Sequence, residues 1–202
     1  MKILAIGDPH GNMEKLRRVP KKDIDLILLT GDLGKADLAR KRFFENIERE
    51  KKGLPKIEDT LEFDEKVSKE IYYSSMQVLR HCAKIAPTYF IYGNIEPSGC
   101  QRPGKNREAP WLPKEAKKIA KKQTDKARNV LKWFGDVNIL LHHQPPYGIL
   151  DKVGPPSPKH WRGKHAGSKT ILEYIRKNQP NYAFCGHIHE GEGKKKIGKT
   201  EV

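Results

Sequence analysis

Five short apolar runs in this chain each stop within a few residues of a carboxylate, an amide or an imidazole. Residues 3–6 lead into Gly7-Asp8 and on to His10, residues 26–29 into Gly31-Asp32, and residues 89–92 into Gly93-Asn94. Residues 137–141 lead into His142-His143, and residues 182–185 into Gly186-His187 and His189. Short apolar runs bounded by small or polar residues read as buried strands. Helical patterns fall between them. Phe43 and Ile47 are four apart on a segment closed by Gly53, and Val67, Ile71, Ser75, Val78 and Cys82 share a face of a longer segment that Pro87 stops. Ile119, Ala120, Val130, Leu131 and Phe134 mark a lysine-rich helix, and Ser168 starts a last one through Ile171, Leu172 and Ile175. Strands alternating with helices predict an α/β domain with a largely parallel sheet. In such sheets ligands sit beyond the carboxyl ends of the strands, where all five runs place their polar residues.

Composition sets the outer limits. With 202 residues, 36% hydrophobic and 32% charged, the chain can bury a real core and is expected to form a single domain over 1–202. No apolar run approaches the roughly 18–20 residues of a bilayer span, and the opening MKILAIGD lacks the length and cleavage site of a signal peptide. Cys82, Cys100 and Cys185 are odd in number and without CxxC spacing, which argues against a disulfide framework. A soluble cytoplasmic protein, with no membrane association, is the expectation. The net charge of +15 attracts polyanions at long range. The basic residues are spread over several helices without a nucleic-acid motif, so a solvated Lys/Glu-rich surface is the favoured reading.

Asp8, His10, Asp32, Asn94, His143, His187 and His189 supply carboxylates, imidazoles and one amide carbonyl. That set suits manganese, iron, cobalt or zinc, and no thiolate is placed to select a softer ion. Seven donors exceed what one ion takes and suit two ions sharing a carboxylate. Such a pair, roughly 3.5–4 Å apart, clamps both oxygens of an in-line phosphoryl displacement.

The series D-x-H (8–10), GD (31–32), GN-x-E (93–96), H-x-PPYG (143–148) and GH-x-H (186–189) resembles the calcineurin-like metallophosphoesterase superfamily. Around it, HHQPPYGILD (142–151), HAGSKTILEYI (165–175) and CGHIHEGEG (185–193) resemble its small archaeal-type predicted phosphoesterases. The resemblance implies a four-layer αββα sandwich with a dimetal site along one sheet edge. It implies one ion on Asp8, His10 and His189, a second on Asn94, His143 and His187, and Asp32 bridging them. Manganese is expected first, with iron, cobalt, nickel or zinc as alternatives. His143 matches the motif because the family histidine stands two residues before the Pro-Pro pair; His142 becomes a supporting or packing neighbour, and Gln144 with the Pro-Pro-Tyr turn shapes the pocket rim. The implied reaction is hydrolysis of phosphate esters, phosphodiesters above all, by a hydroxide bridging two ions, with Asp8, Asp32 and Asn94 in the catalytic centre.

Three departures qualify the match. The polar loop 97–113 and the lysine-rich helix after it stand where relatives are expected to carry strand material. Ile95 stands where the family often has a histidine that stabilises the transition state or protonates the leaving oxygen; some active relatives carry cysteine there, and some substituted relatives serve as scaffolds. Such acid assistance is typically worth about 10²–10⁴-fold, so Ile95 should weaken turnover on poor leaving groups without removing the metals. His165, in a Gly/Pro loop beside Gly167 and the helix start at Ser168, is the candidate replacement acid. The chain also stops at KIGKTEV where the family usually continues to Asn-Pro-Gly, so either the second sheet is short an edge strand or this is a shortened or incompletely represented form, and both favour compensating oligomer contacts. The alternatives to an enzyme are a scaffold with little catalysis, or a nucleic-acid-directed nuclease suggested by the lysines of 114–132 and 194–196.

Overall fold

In the first half of the chain the central strand is LILL, 26–29, apolar at every position and buried from Ile27 onward, as expected of a parallel strand covered on both faces. The computed structural model describes residues 1–96, 113–155, 157 and 159–202. The described chain divides into two compact units, Met1–Lys105 and Asn106–Val202.

In the first unit, β1 (Ile3–Ile6) and β3 (Thr88–Phe90) flank β2 (Leu26–Leu29) in a parallel sheet of order β1-β2-β3. The register pairs Ile6 with Leu29 and Leu29 with Phe90, so the three carboxyl ends lie level. The crossovers are helical: α1 (Met13–Arg17), α2 (Asp37–Lys51) and α3 (Leu61–Ala83). Asn12 caps α1 by accepting from the Lys15 N–H, and Thr60 caps α3 by accepting from that of Phe63. The buried residues of α3 are Ile71, Ser74, Ser75, Val78 and Cys82, the face foreseen from spacing with Ser74 added and Val67 half-buried. Leu16, Ile27, Leu29, Leu33, Val78, Cys82 and Ala86 form one core. Helix α2 forms over the segment that Phe43 and Ile47 marked, but none of its residues is buried, and Phe43 is exposed. Polar links hold it instead. The Asn46 amide donates to the Ile57 carbonyl at 3.1 Å and accepts from the Ile57 N–H at 2.8 Å, while the Arg42 guanidinium lies 4.1 Å from the Phe63 ring centroid.

In the second unit, helix α4 (Pro113–Phe134) precedes β4 (Ile139–Leu141), and α5 (Lys169–Asn178) joins it to the parallel strand β5 (Tyr182–Phe184). The C-terminal KIGKTE folds as a hairpin, β6 (Lys196–Ile197) and β7 (Thr200–Glu201), and β7 pairs with β5, giving a four-stranded sheet of order β4-β5-β7-β6. Leu131, Leu140, Tyr174, Ile175, Ala183, Ile197 and Val202 form its core. Ser168 caps α5 as the sequence suggested, accepting from the Ile171 N–H at 3.3 Å. Strands β3, β4 and β5 are each shorter than the apolar run that announced them, because pairing ends before hydrophobicity does. The loop expected over 97–113 lies, but for its last residue, outside the described residues, and that residue, Pro113, begins α4. No described helix is long and apolar enough to cross a membrane.

Candidate metal centre

Asp8 and His10 follow the end of β1 on a backbone turned into the left-handed region, with φ of 40° and 43°. Asp32, three residues beyond β2, has φ 47°, and His187, three beyond β5, has φ 72°. Non-glycine residues seldom adopt this conformation, because Cβ crowds the neighbouring carbonyl. Seven non-glycine residues do so among those described, and four of them are ligand candidates. Strain of this kind, of the order of 1–3 kcal/mol per residue, persists only where surrounding contacts over-determine it.

Those contacts are visible in the first unit. The His10 N–H donates to the Asp32 carbonyl at 3.0 Å and the Gly11 N–H to that of Leu33 at 2.7 Å, lacing the loop after β1 to the loop after β2. Thr30 Oγ1 lies 3.5 Å from Asp8 Oδ1. One carboxylate oxygen of Asp8 and one ring nitrogen of His10 come within 4.8 Å of each other, close enough to serve one ion.

The GNIE turn closes on the same carboxylate. Asp32 Oδ1 accepts from the N–H groups of Asn94 at 2.5 Å and Ile95 at 3.0 Å. Glu96 locks both loops: its Oε2 accepts from Asp32 N–H at 3.0 Å and Gly93 N–H at 2.7 Å, and its Oε1 from Leu33 N–H at 2.6 Å, with Gly34 N–H at 3.4 Å. Glu96 is buried, so these bonds replace its hydration shell. Gly93 is required by space: a Cβ there would stand 2.2 Å from Asp32 Oδ1 and 2.4 Å from Asp32 N. The isoleucine at 95 therefore sits in a loop held by backbone donors and by Glu96, none of which depends on its side chain.

In the second unit, Leu141 pairs with Phe184, which brings His143 and His187 to the same sheet edge. The Gly186 N–H donates to the His143 carbonyl at 2.9 Å, and the two imidazole centroids lie 4.9 Å apart, edge to face. His189 begins a short 3-10 turn, His189–Gly191, and is exposed. His142 points inward. It is buried, and its Nδ1 donates to the Gln144 carbonyl at 2.5 Å. Its Nε2 has no hydrogen-bond partner among the described residues. Burial drives its pKa down to about 4; the Gln144 bond opposes this and the neighbouring His143 adds to it. A group so placed is neutral at ordinary pH and packs the end of β4.

His165 lies in a clasp made by 145–154 and 164–168. The Ser168 N–H donates to the Pro145 carbonyl at 2.8 Å, the Tyr147 N–H to that of Ser168 at 3.1 Å, and the Ala166 N–H to that of Asp151 at 2.9 Å. Inside the clasp Asp151 is buried, with Oδ1 2.6 Å from His165 Nδ1 and Oδ2 accepting from the N–H groups of Gly148 at 2.9 Å and Gly167 at 3.0 Å. Burial pushes the Asp151 pKa up, but the His165 bond, the two backbone donors and the His165 charge together hold it below the ordinary carboxylate value.

Sequence reasoning assigned no duty to Glu96 or Asp151, although both close motifs it had quoted. A buried carboxylate that gathers backbone N–H groups leaves no periodic trace, and its only signal was a charged residue directly beyond a Gly-containing turn.

Against known proteins, the profile of the calcineurin-like phosphoesterases matches residues 1–191. An uncharacterized protein of the archaeon Methanocaldococcus jannaschii is 26% identical over all of this chain and 86% of its own length. A UPF0046 protein of Caenorhabditis elegans is 35% identical over 65 residues, which are 32% of this chain and only 20% of the worm protein. A chain of known crystal structure aligns with a TM-score of 0.56 at 15% identity, over 99% of this chain and 88% of its own, a likeness of fold. With strained carboxylate and imidazole residues at the carboxyl ends of parallel strands, and one profile running through both units, the chain belongs to the calcineurin-like phosphoesterase family.

Proposed function

We propose that this protein is a metal-dependent phosphoesterase acting by preference on phosphodiesters, and that residues 1–202 work as one domain. The family match supports hydrolysis of phosphate esters in general. The observation that carries the finer reading is the left-handed backbone at Asp8, His10, Asp32 and His187, strain retained where donor atoms must be aimed.

The donor set fits two divalent ions: carboxylate and imidazole donors approach closely at Asp8 and His10, and two imidazoles do so at His143 and His187. Asp8, His10 and His189 would hold one ion and Asn94, His143 and His187 the other, with Asp32 common to both. Manganese is the first candidate, with iron, cobalt, nickel or zinc as alternatives. When bound, the ions supply Lewis acidity that generates hydroxide from water and neutralises charge on the phosphoryl oxygens. The residues themselves orient and exclude. The N–H groups of Asn94 and Ile95 fix the Asp32 carboxylate, and Glu96 keeps the loops after β2 and β3 in register. His165 is the proton carrier for the leaving oxygen in place of the histidine that Ile95 displaces.

The test pairs metal analysis with turnover. Protein purified without chelator should carry two equivalents of divalent ion and hydrolyse a bis-aryl phosphate, faster with added Mn²⁺, and Asp8→Ala should abolish that activity. Two bound equivalents with no turnover on any phosphoester would instead identify a scaffold.

A further inference from the structure

The clasp around His165 is built more firmly than a surface loop requires. Asp151 has a side chain 1% exposed, and it faces an imidazole side chain 33% exposed. Its two oxygens have different work: Oδ2 takes the backbone N–H groups of Gly148 and Gly167, and Oδ1 faces His165 Nδ1 at 2.6 Å. The backbone enforces this. Lys152 and His165 form an antiparallel bridge, and a Cβ on Gly167 would stand 2.7 Å from Asp151 Oδ2 and from the carbonyls of both Pro145 and Pro146. Leu150 sits at φ 55°, and a Cβ on Gly191 would stand 2.0 Å from its carbonyl oxygen. The Gly154 N–H donates to Glu190 Oε1 at 3.1 Å. The clasp is thus fastened to the loop that carries His187 and His189.

We propose that Asp151 is a positioning residue: it holds His165 in the tautomer with hydrogen on Nδ1, so that Nε2 is the nitrogen that exchanges protons. The proposal rests on the phosphoesterase reading and deepens it. The tautomer of a histidine follows from the bond its other nitrogen makes, and a carboxylate already holding two backbone donors can only accept from Nδ1. In turnover the protonated ring gives its Nε2 proton to the leaving oxygen as the bond from phosphorus to that oxygen breaks and the bond from a water-derived oxygen forms. The water's surplus proton passes to solvent, from which the ring is recharged. What remains is the neutral ring with hydrogen on Nδ1, the form to which Asp151 is bonded. The other groups around the ring are Tyr147, with a centroid 5.3 Å away, Lys169 over the Tyr147 ring at 5.1 Å, Lys152 across the bridge and Lys164 beside it in the chain.

Asp151→Asn inverts this arrangement. The N–H groups of Gly148 and Gly167 retain the amide oxygen, so the amide nitrogen must face Nδ1 as a donor and hydrogen moves to Nε2. In the full-length, metal-loaded protein, Asp151→Asn and His165→Asn should each lower turnover of an alkyl phosphodiester by roughly 10²-fold or more. A nitrophenyl diester, whose leaving group needs no proton, should stay within a few-fold, and the double variant should be no worse than His165→Asn. The independent readout is ¹⁵N NMR of the His165 ring above its titration range: hydrogen on Nδ1 in the wild type and on Nε2 in Asp151→Asn. Hydrogen on Nε2 in the wild type, or unaltered alkyl turnover in a folded Asp151→Asn, overturns the proposal. If the wild type cleaves neither ester, the phosphoesterase reading fails, and the wild-type tautomer alone decides the role of Asp151. That measurement needs no variant to fold.

Discussion

At Ile95 the backbone N–H donates to Asp32 Oδ1 while the half-buried side chain supplies no proton, so the loop keeps its geometry after losing a chemical group. Ile95→His, made in the His165→Asn protein, should therefore restore acid assistance without disturbing the fold. It should raise turnover of alkyl phosphodiesters by about 10²-fold or more, toward the range general acids provide, with little change for nitrophenyl esters; equal gains on both would point to altered metal binding. Glu96 is the opposite case. Its carboxylate gathers backbone donors from two loops at once, and Glu96→Gln would turn an NH₂ group toward N–H groups. Leaving buried donors unmet should lower stability by roughly 2–4 kcal/mol, read by urea unfolding, and should reduce metal stoichiometry because the Asp32 loop is no longer held.

Among the elements, the ends of β4 and α5 carry the acid sensitivity of the second unit. His142 has its pKa held at about 4 when folded against an ordinary 6.5, so the unfolded chain binds the proton first. Its contribution is present above pH 6.5 and lost as pH falls toward 4, by on the order of 3 kcal/mol. Asp151 shifts downward, so its contribution is present above the ordinary carboxylate value near 4 and lost as pH falls through its lower folded pKa. Unfolding of chelated protein by urea, followed from pH 8 to pH 3, should show stability falling in these two successive windows. His142→Gln should flatten the upper window and leave the lower one. A profile unchanged by that substitution would mean that His142 is not neutral and buried in solution.

For the whole molecule, each unit owns a core, and neither core contains a ligand candidate. Metal removal should therefore loosen rather than unfold the protein. With chelator the far-UV circular dichroism should persist while Tm falls. The free energy lost should be about 2.7 kcal/mol where the free ion had stood at a hundred times its Kd. Asp32→Asn should make Tm insensitive to Mn²⁺ and to chelator alike; loss of secondary structure on chelation would show that the ions, not the cores, hold the units together.

The order in which polar residues follow the strands was legible because it is local. An apolar run predicts a strand from burial alone, and in a parallel sheet whatever follows that run must emerge at the carboxyl edge. Asp8, Asp32, Asn94, His143 and His187 could be read that way with no knowledge of contacts, as could the Ser168 cap, since a cap acts three residues ahead. The helix marked by Phe43 and Ile47 was legible as well and forms as α2, although which of its residues would be covered was not: Ile47 is half-buried and Phe43 exposed. At the KIGKTEV end the pairing was not legible, because strands of two residues take their character from partners, β6 from β7 and β7 from β5.

What tertiary structure alone decided are the bonds between distant residues: Glu96 to the Asp32 and Leu33 N–H groups, 64 and 63 positions away, and Asp151 to His165, 14 away. No periodicity encodes them, because each arises when separated stretches of loop meet and a buried charge must find donors. Sequence chose which chemical groups stand at the strand ends. Folding chose their aim, by turning Asp8, His10, Asp32 and His187 into a backbone conformation that only surrounding contacts can sustain.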